Sequence, residues 1–196
     1  MTTTASSARE RILDAASVSF YREGIRAVGV DSVIADAGVA KATLYRHFPS
    51  KDALVLAFLE RRDARWRAWF AGAVERLSPR PAGRPLAVFD ALGEWFASDD
   101  FRGCAFLNAA AEIADPAHPA RGAVRLHEER LAEHLGTICA EAGLADPAAA
   151  AADLFLLVEG AIVCALVEGS AEPAARARAT AVRLLSRSAH PIVEDP

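Results

Sequence analysis

Cysteine is scarce in this chain, and its three residues exclude two kinds of scaffold. Cys104, Cys139 and Cys164 are odd in number, widely spaced and set in apolar helical stretches. That fits neither a disulfide framework nor a zinc-ligand pattern, so buried free thiols are expected. A membrane-length apolar run is missing too. The most hydrophobic stretch, Leu154 to Val167, has 14 residues and contains Glu159 and Gly160, whereas a bilayer span needs roughly 20. The first ten residues, MTTTASSARE, lack the basic start and apolar run of a signal peptide. A cytoplasmic protein with no membrane partner is expected.

Catalytic signatures are also absent. There is no strand-linked glycine-rich phosphate loop, no nucleophile elbow and no metal quartet. His127 and His134 stand seven apart, about two helical turns, too far for easy chelation. No enzyme activity, no cofactor and no metal site is expected. Lysine is nearly missing: only Lys41 and Lys51 occur, among 22 basic residues.

What is present is helix-forming. The 196 residues are 53% hydrophobic and 24% charged, an ordinary globular balance with room for a sizeable core. Alanine is abundant and β-branched residues are few, which favours helix over sheet. The net charge of −4 argues against a nucleic-acid binder by bulk charge. Its distribution argues the other way. Residues 1–65 carry ten Lys and Arg against eight Asp and Glu, and the remainder carries twelve against eighteen. A mildly basic head on an acidic body suits a DNA-facing N-terminus.

Periodicity and breakers place helices over about 7–23, 31–37, 41–48 and 51–77, then 86–97, 103–114, 120–142, 147–168 and 173–188. Gly24 and Gly38 stop the first two, and Ser50 is placed to cap the fourth. No strand and no internal repeat is expected. The fold expected is all-α: a three-helix head with a helix-turn-helix over residues 1–50, and a helical bundle over 51–196 for ligand binding and dimerisation.

The most informative stretch is Val30 to Lys51, VDSVIADAGVAKATLYRHFPSK. It reads as two short helices joined at Gly38, with Ile34 and Val39 placed to pack them together. Leu44 and Phe48, four apart, share an inward face of the second helix. A helix that reads DNA must be slim enough for the major groove and carry donors for base edges and cations for phosphates. Ala42 keeps the entry side slim. Thr43 and Tyr45 offer hydroxyls, and Arg46 suits guanine or phosphate. Lys51 opens the next helix, where its charge joins the N-terminal amides. Both lysines of the chain flank this motif.

This stretch resembles the tetracycline-repressor (TetR) family of helix-turn-helix regulators. The resemblance rests on Ile34-Ala35, Ala37-Gly38-Val39, Thr43-Leu44-Tyr45, His47-Phe48 and Ser50-Lys51, within roughly residues 8–60. It implies that Lys41, Thr43, Tyr45 and His47 face DNA and that Lys51 binds phosphate. The sequence departs at Ala40 and at Val28-Gly29, where the family often carries Ser or Thr. The resemblance implies a homodimer on a palindromic double-stranded operator and a small-molecule inducer held by the remaining helices.

In the C-terminal region, aromatic residues gather as for an apolar ligand cavity. Trp66, Trp69, Phe70, Phe89, Trp95, Phe106 and Phe155 are the candidate lining. Asn108, His127 and Glu159 are the candidate polar contacts, with Glu112 and His134 as further polar residues. The same aromatics also suit a plain core. The helix around 154–167 is apolar almost all round and must bury two sides. Phe155, Val158, Ile162 and Leu166, with Val182 and Leu185 of the last helix, are the expected dimer seam. Two readings stay open beside the repressor: a helical module whose head binds protein, and a regulator that activates or needs no ligand.

Overall fold

The computed structural model describes residues 6–188, and among these every regular element is helical. The order is α1 (Ala8–Glu23), α2 (Val30–Ala37), α3 (Lys41–His47), α4 (Lys51–Leu77), a single 3-10 turn at Pro81–Gly83, α5 (Arg84–Phe96), α6 (Ala105–Glu112), α7 (Pro119–Glu141), α8 (Pro147–Glu168) and α9 (Glu172–Ser188).

Two compact units emerge. One comprises residues up to Arg65 together with Ala105–His127; the other comprises Trp66–Cys104 and the chain from Glu128. The packing boundary therefore differs from the expected cut at 50/51. Leu54, Val55, Phe58 and Leu59 of α4 are buried, and Phe58 meets Phe20 of α1 edge-on at 5.7 Å. The first half of α4 completes the core of the head.

In the first unit, α1 packs on α2 and α3. Ile12, Leu13, Ala16 and Phe20 recur at helical spacing and are buried. Ser7 caps α1 by accepting a hydrogen bond from the Glu10 amide at 3.2 Å. Val33 and Ala37, rather than Ile34 and Val39, carry the buried side of α2 and the turn; Ile34 and Val39 are half-buried. The short α2 is rotated so that its i, i+4 pair faces α1.

In the second unit, α5, α8 and α9 pack together. Ala174, Ala177 and Ala181 line the buried side of α9. The small residues permit close approach: a Cβ on Gly93 of α5 would lie 3.6 Å from that of Ala174. Arg178 of α9 pairs with Asp90 of α5 at 3.0 Å. The helix extends beyond the 154–167 stretch, since the alanines after Pro147 carry α8 to 22 residues in all. By length and composition α8 could cross a membrane. Yet Leu154, Val158, Ala161, Ile162 and Ala165 are buried within the chain, as in the core helix of a globular bundle.

Candidate nucleic-acid interface

The turn between α2 and α3 sets the geometry. Gly38 adopts the left-handed conformation (φ 60°, ψ 45°), and the Gly38 and Val39 amides close onto the Ala35 and Ile34 carbonyls. A side chain is disfavoured there by backbone sterics alone, because an added Cβ would meet nothing within 4 Å. The helix caps of α2 and α3 are Gly29 and Ala40, and neither offers a side-chain hydrogen bond. These are two of the positions where the sequence departs from the family pattern.

Leu44 and Phe48 anchor α3 in the head, at 0% and 3% exposure. That fixes which side chains point outward. Lys41, Ala42, Tyr45 and Arg46 are exposed, while Thr43 and His47 are half-buried. Lys41 Nζ donates to Asp31 of α2 at 3.0 Å, with both side chains largely in solvent. Asp31's hydrogen bond and charge raise the Lys41 ammonium above its ordinary value. Such an exposed pair is weak, so a phosphate can replace the carboxylate.

Lys51 lies at the first position of α4, its Nζ 6.0 Å from the centre of the Phe20 ring. Ser50 accepts from the Ala53 amide at 3.1 Å and so caps this helix. Arg61 locks α4 to α1 through Asp14 at 2.7 Å, and Arg62 lies over the Tyr21 ring at 3.9 Å.

Sequence reasoning missed how α6 and α7 grip this head. Glu112, at the end of α6, accepts from the Arg26 backbone amide at 2.6 Å, on the connection between α1 and α2. His118, just before α7, meets Asp52 of α4 at 3.3 Å. Deeper in this unit, His127 of α7 pairs with Asp63 of α4 at 2.8 Å, and both are buried. Phe106 of α6 stacks on the His127 ring at 3.7 Å and 10°. Asp63 had a legible signal: it falls on the apolar stripe of Leu59, Trp66 and Phe70.

The candidate ligand residues separate. Phe106, His127 and the half-buried Asn108 belong to the first unit. In the second, Trp66, Trp69, Phe70 and Trp95 form one aromatic cluster that Phe96 and Phe101 extend. Trp66 stacks on Phe70 at 4.8 Å, and Trp95 meets Phe101 edge-on at 5.1 Å. Trp69 is 38% exposed and Phe89 is fully buried. A cavity of about 100 Å³ lies among Trp66, Phe70, Leu131 and His134, bordered by Arg67 and Arg130. Burial lowers the His134 imidazole below its usual value. Phe155 and Glu159 are half-buried on α8.

The expected dimer residues divide as well. Val158 and Ile162 are buried in their own chain, at 0% and 2% exposure, because they lie on the side of α8 that meets α5 and α9. The outward stripe is Leu156, Gly160, Val163 and Val167, at i, i+4, i+7 and i+11, with Leu166 alongside. Leu156 and Val167 are 71% and 79% exposed. On α9, Val182 is exposed and Leu185 half-buried.

Comparison with known proteins agrees with this architecture. Residues 12–58 match the bacterial regulatory proteins of the tetR family. Residues 81–181 match the tetracyclin repressor-like C-terminal domain. Among solved structures, SCO4454, a TetR-family transcriptional regulator from Streptomyces coelicolor, is 39% identical with a TM-score of 0.82, covering 91% of this chain and 96% of that one. LmrA, an HTH-type transcriptional regulator of Bacillus subtilis, is 25% identical over 174 residues, 84% of this chain and 89% of its own. The uncharacterized HTH-type transcriptional regulator Rv1255c of Mycobacterium tuberculosis is 40% identical over 58 residues, so the match spans only 29% of that relative. With its recognition helix, its all-helical body and both family regions in order, the chain belongs to the TetR family of DNA-binding helix-turn-helix transcriptional regulators, and not to an enzyme family.

Proposed function

We propose that the protein is a repressor that binds a palindromic operator as a homodimer and is released by a small, mostly apolar or aromatic ligand. The observation that carries the DNA-reading part is the division of α3. Leu44 and Phe48 anchor it, leaving Lys41, Ala42, Tyr45 and Arg46 on the outside. Thr43 and His47 sit at the edges of that face, and Lys51 stands where α4 begins. In this reading Tyr45 and Arg46 meet base edges or phosphates, and Lys41 and Lys51 hold phosphates.

Dimerisation is supported by the outward stripe of α8. Leu156, Val163, Leu166 and Val167 of α8 expose apolar surface, as does Val182 of α9, and a two-fold copy of the same stripe is its natural cover. Two heads related by such an axis would read two half-sites of inverted sequence. A protein acting on chromosomal DNA works in the cytoplasm.

Ligand release follows from the continuity of α4, one helix from Lys51 to Leu77. The aromatic cluster is built on its far half, and Lys51 opens its near end. A ligand that moves the far half would displace the DNA-facing end and misalign the two heads. By linkage, operator must weaken ligand binding by the factor by which ligand weakens operator binding. The functional division at residue 50, with sensing and pairing assigned to 51–196, belongs to this proposal.

The test is selection from a random duplex pool, using wild type and a Tyr45→Ala, Lys51→Ala double variant. Enrichment of a palindrome by wild type alone supports the reading. A salt dependence near that of a protein holding several phosphates goes with it. No enrichment by a confirmed dimer at low salt would favour a head that binds protein instead.

A further inference from the structure

Two neighbouring cavities of the second unit meet at one imidazole. The first, of about 100 Å³, has an apolar wall of Trp66, Phe70 and Leu131. The second, of about 200 Å³, has a polar wall that includes Arg84, Thr137 and Glu141. Ala71 of α4 and His134 of α7 border both. Trp66 stacks on Phe70 at 4.8 Å and 11°, and the Phe70 ring meets the His134 ring at 6.0 Å and 68°. A flat apolar wall therefore ends at a polar ring.

Two polar atoms at this junction are unanswered. His134 Nε2 and Arg84 Nε are sealed from solvent and have no hydrogen-bond partner among the described residues. Arg84 commits a different nitrogen, Nη1, to Glu141 at 2.6 Å. The arginine can only donate, whereas a neutral imidazole keeps one lone pair to accept. Burial lowers His134 below its ordinary value, so the ring is neutral near pH 7. Charges of both signs surround it: Glu141 and Glu75 against Arg67 and Arg84, with Arg130 at the apolar cavity. The junction thus offers one donor and one acceptor and favours neither sign of ligand charge. Buried groups left unpaired are costly, and a ligand that pairs them recovers that cost on binding.

We infer that the body binds a phenol, a neutral aromatic hydroxyl compound, with its ring against Trp66 and Phe70 and its hydroxyl at His134 and Arg84. The inference rests on the reading of the body as a ligand sensor and names the ligand class. The hydroxyl accepts from Arg84 Nε–H and donates to His134 Nε2, so one oxygen answers both atoms. Stacked and edge-on contacts with the aromatic wall hold the other end. A carboxylate cannot donate and would meet Glu75 and Glu141. An ammonium cannot accept and would meet Arg67, Arg84 and Arg130.

The experiment is calorimetric titration of the full-length chain without DNA at neutral pH. The probes are 4-ethylphenol and 2-naphthol, their methyl ethers 4-ethylanisole and 2-methoxynaphthalene, the anion 4-ethylbenzoate and the cation 2-phenylethylammonium. Each phenol is expected to bind about tenfold more tightly than its ether, because the ether keeps the acceptor and loses the donor. Both ions should bind more weakly than the phenols. His134→Phe keeps a ring at the junction and removes its acceptor, so it should weaken the phenols and leave the ethers unchanged. Arg84→Lys keeps a positive charge for Glu141 and removes Nε, so it should weaken phenols and ethers alike. Circular dichroism confirms that the variants fold, and the wild-type ranking stands without them.

Ethers that bind as tightly as the phenols would overturn the hydroxyl assignment and leave the sensor reading intact. Phenols that do not bind, or that bind more weakly than either ion, would overturn it as well. A preference for phenol over ether that survives in folded His134→Phe would overturn the placement at this junction. Operator affinity, measured separately with each probe present, reports on the sensor reading itself: a phenol that binds with the expected ranking and leaves operator affinity unchanged supports the site and overturns the sensor.

Discussion

Replacing Glu159 by glutamine should stabilise the chain at pH 8 and leave it unchanged at pH 4. The reasoning starts from a carboxyl held at about 7 in the folded chain, against an ordinary value of 4.5, by burial and by Glu128. Between those two pH values the folded state keeps a proton that the unfolded state has released. Stability contributed by this site is therefore intact below pH 4.5, falls as pH rises to 7, and is flat above. Each pH unit across that window is worth about 1.4 kcal/mol, which gives roughly 3 kcal/mol in full. Because Glu159 is half-buried, solvent screening brings the expected figure to about 2 kcal/mol. Urea unfolding at pH 4, 6 and 8, at one protein concentration, reads it directly. With a slope of about 2 kcal/mol per molar, the variant's midpoint should exceed wild type by about 1 M at pH 8 and coincide with it at pH 4. Carboxylates that do not sense Glu159 titrate equally in both proteins and cancel in the difference. A difference that is the same at pH 4 and pH 8, or a loss of stability at pH 8, would refute the burial argument.

Three further outcomes follow from the packing. Asp63→Ala leaves His127 buried without its partner and should cost about 3–5 kcal/mol in thermal or urea unfolding, with Asp63→Asn milder because it retains an acceptor. Gly38→Ala should cost about 1 kcal/mol, since the strain is only that of a left-handed backbone with open space around it; a loss above 3 kcal/mol would mean the turn is held by contacts not accounted for. Leu156→Asp with Val167→Asp, both on the outward stripe of α8, should yield a folded monomer by sedimentation with unchanged helicity, and a pair of variants that stays dimeric would place the seam elsewhere.

Much of the fold was legible because helices announce themselves locally. Gly38 and Ser50 mark a turn and a cap by chemistry that involves only near neighbours, and α4 runs over the expected residues Lys51–Leu77. The outward face of α3 was equally legible, since burying Leu44 and Phe48 leaves one set of side chains facing outward. The register of a helix that is apolar all round was not. On α8, Val158 and Val163 are chemically alike, and only the position of α5 and α9 decides that the first is core and the second exposed. On α2 the same ambiguity put Ile34 ahead of Val33. The extent of the first compact unit was hidden for a related reason: Leu54 and Phe58 lie beyond the motif yet are buried.

Polar partners were the least legible part, and the reason is distance along the chain. His127 stood out as a candidate ligand contact, but its partner Asp63 lies 64 residues away on another helix. Glu112 reads as a cavity residue until the Arg26 amide, 86 residues upstream, claims its oxygen. Once those partners are in place, the meaning of an acid changes from ligand contact to internal tie. Glu159 moves the other way. An acid within an apolar helix demands a donor, and the neighbour that tertiary structure brings to it is a second acid, Glu128. The chain thus uses carboxylates in two ways. Those at Asp63 and Glu112 hold α4 and the head to α6 and α7. At Glu128 and Glu159, by contrast, buried carboxylate oxygens have no hydrogen-bond partner among the described residues.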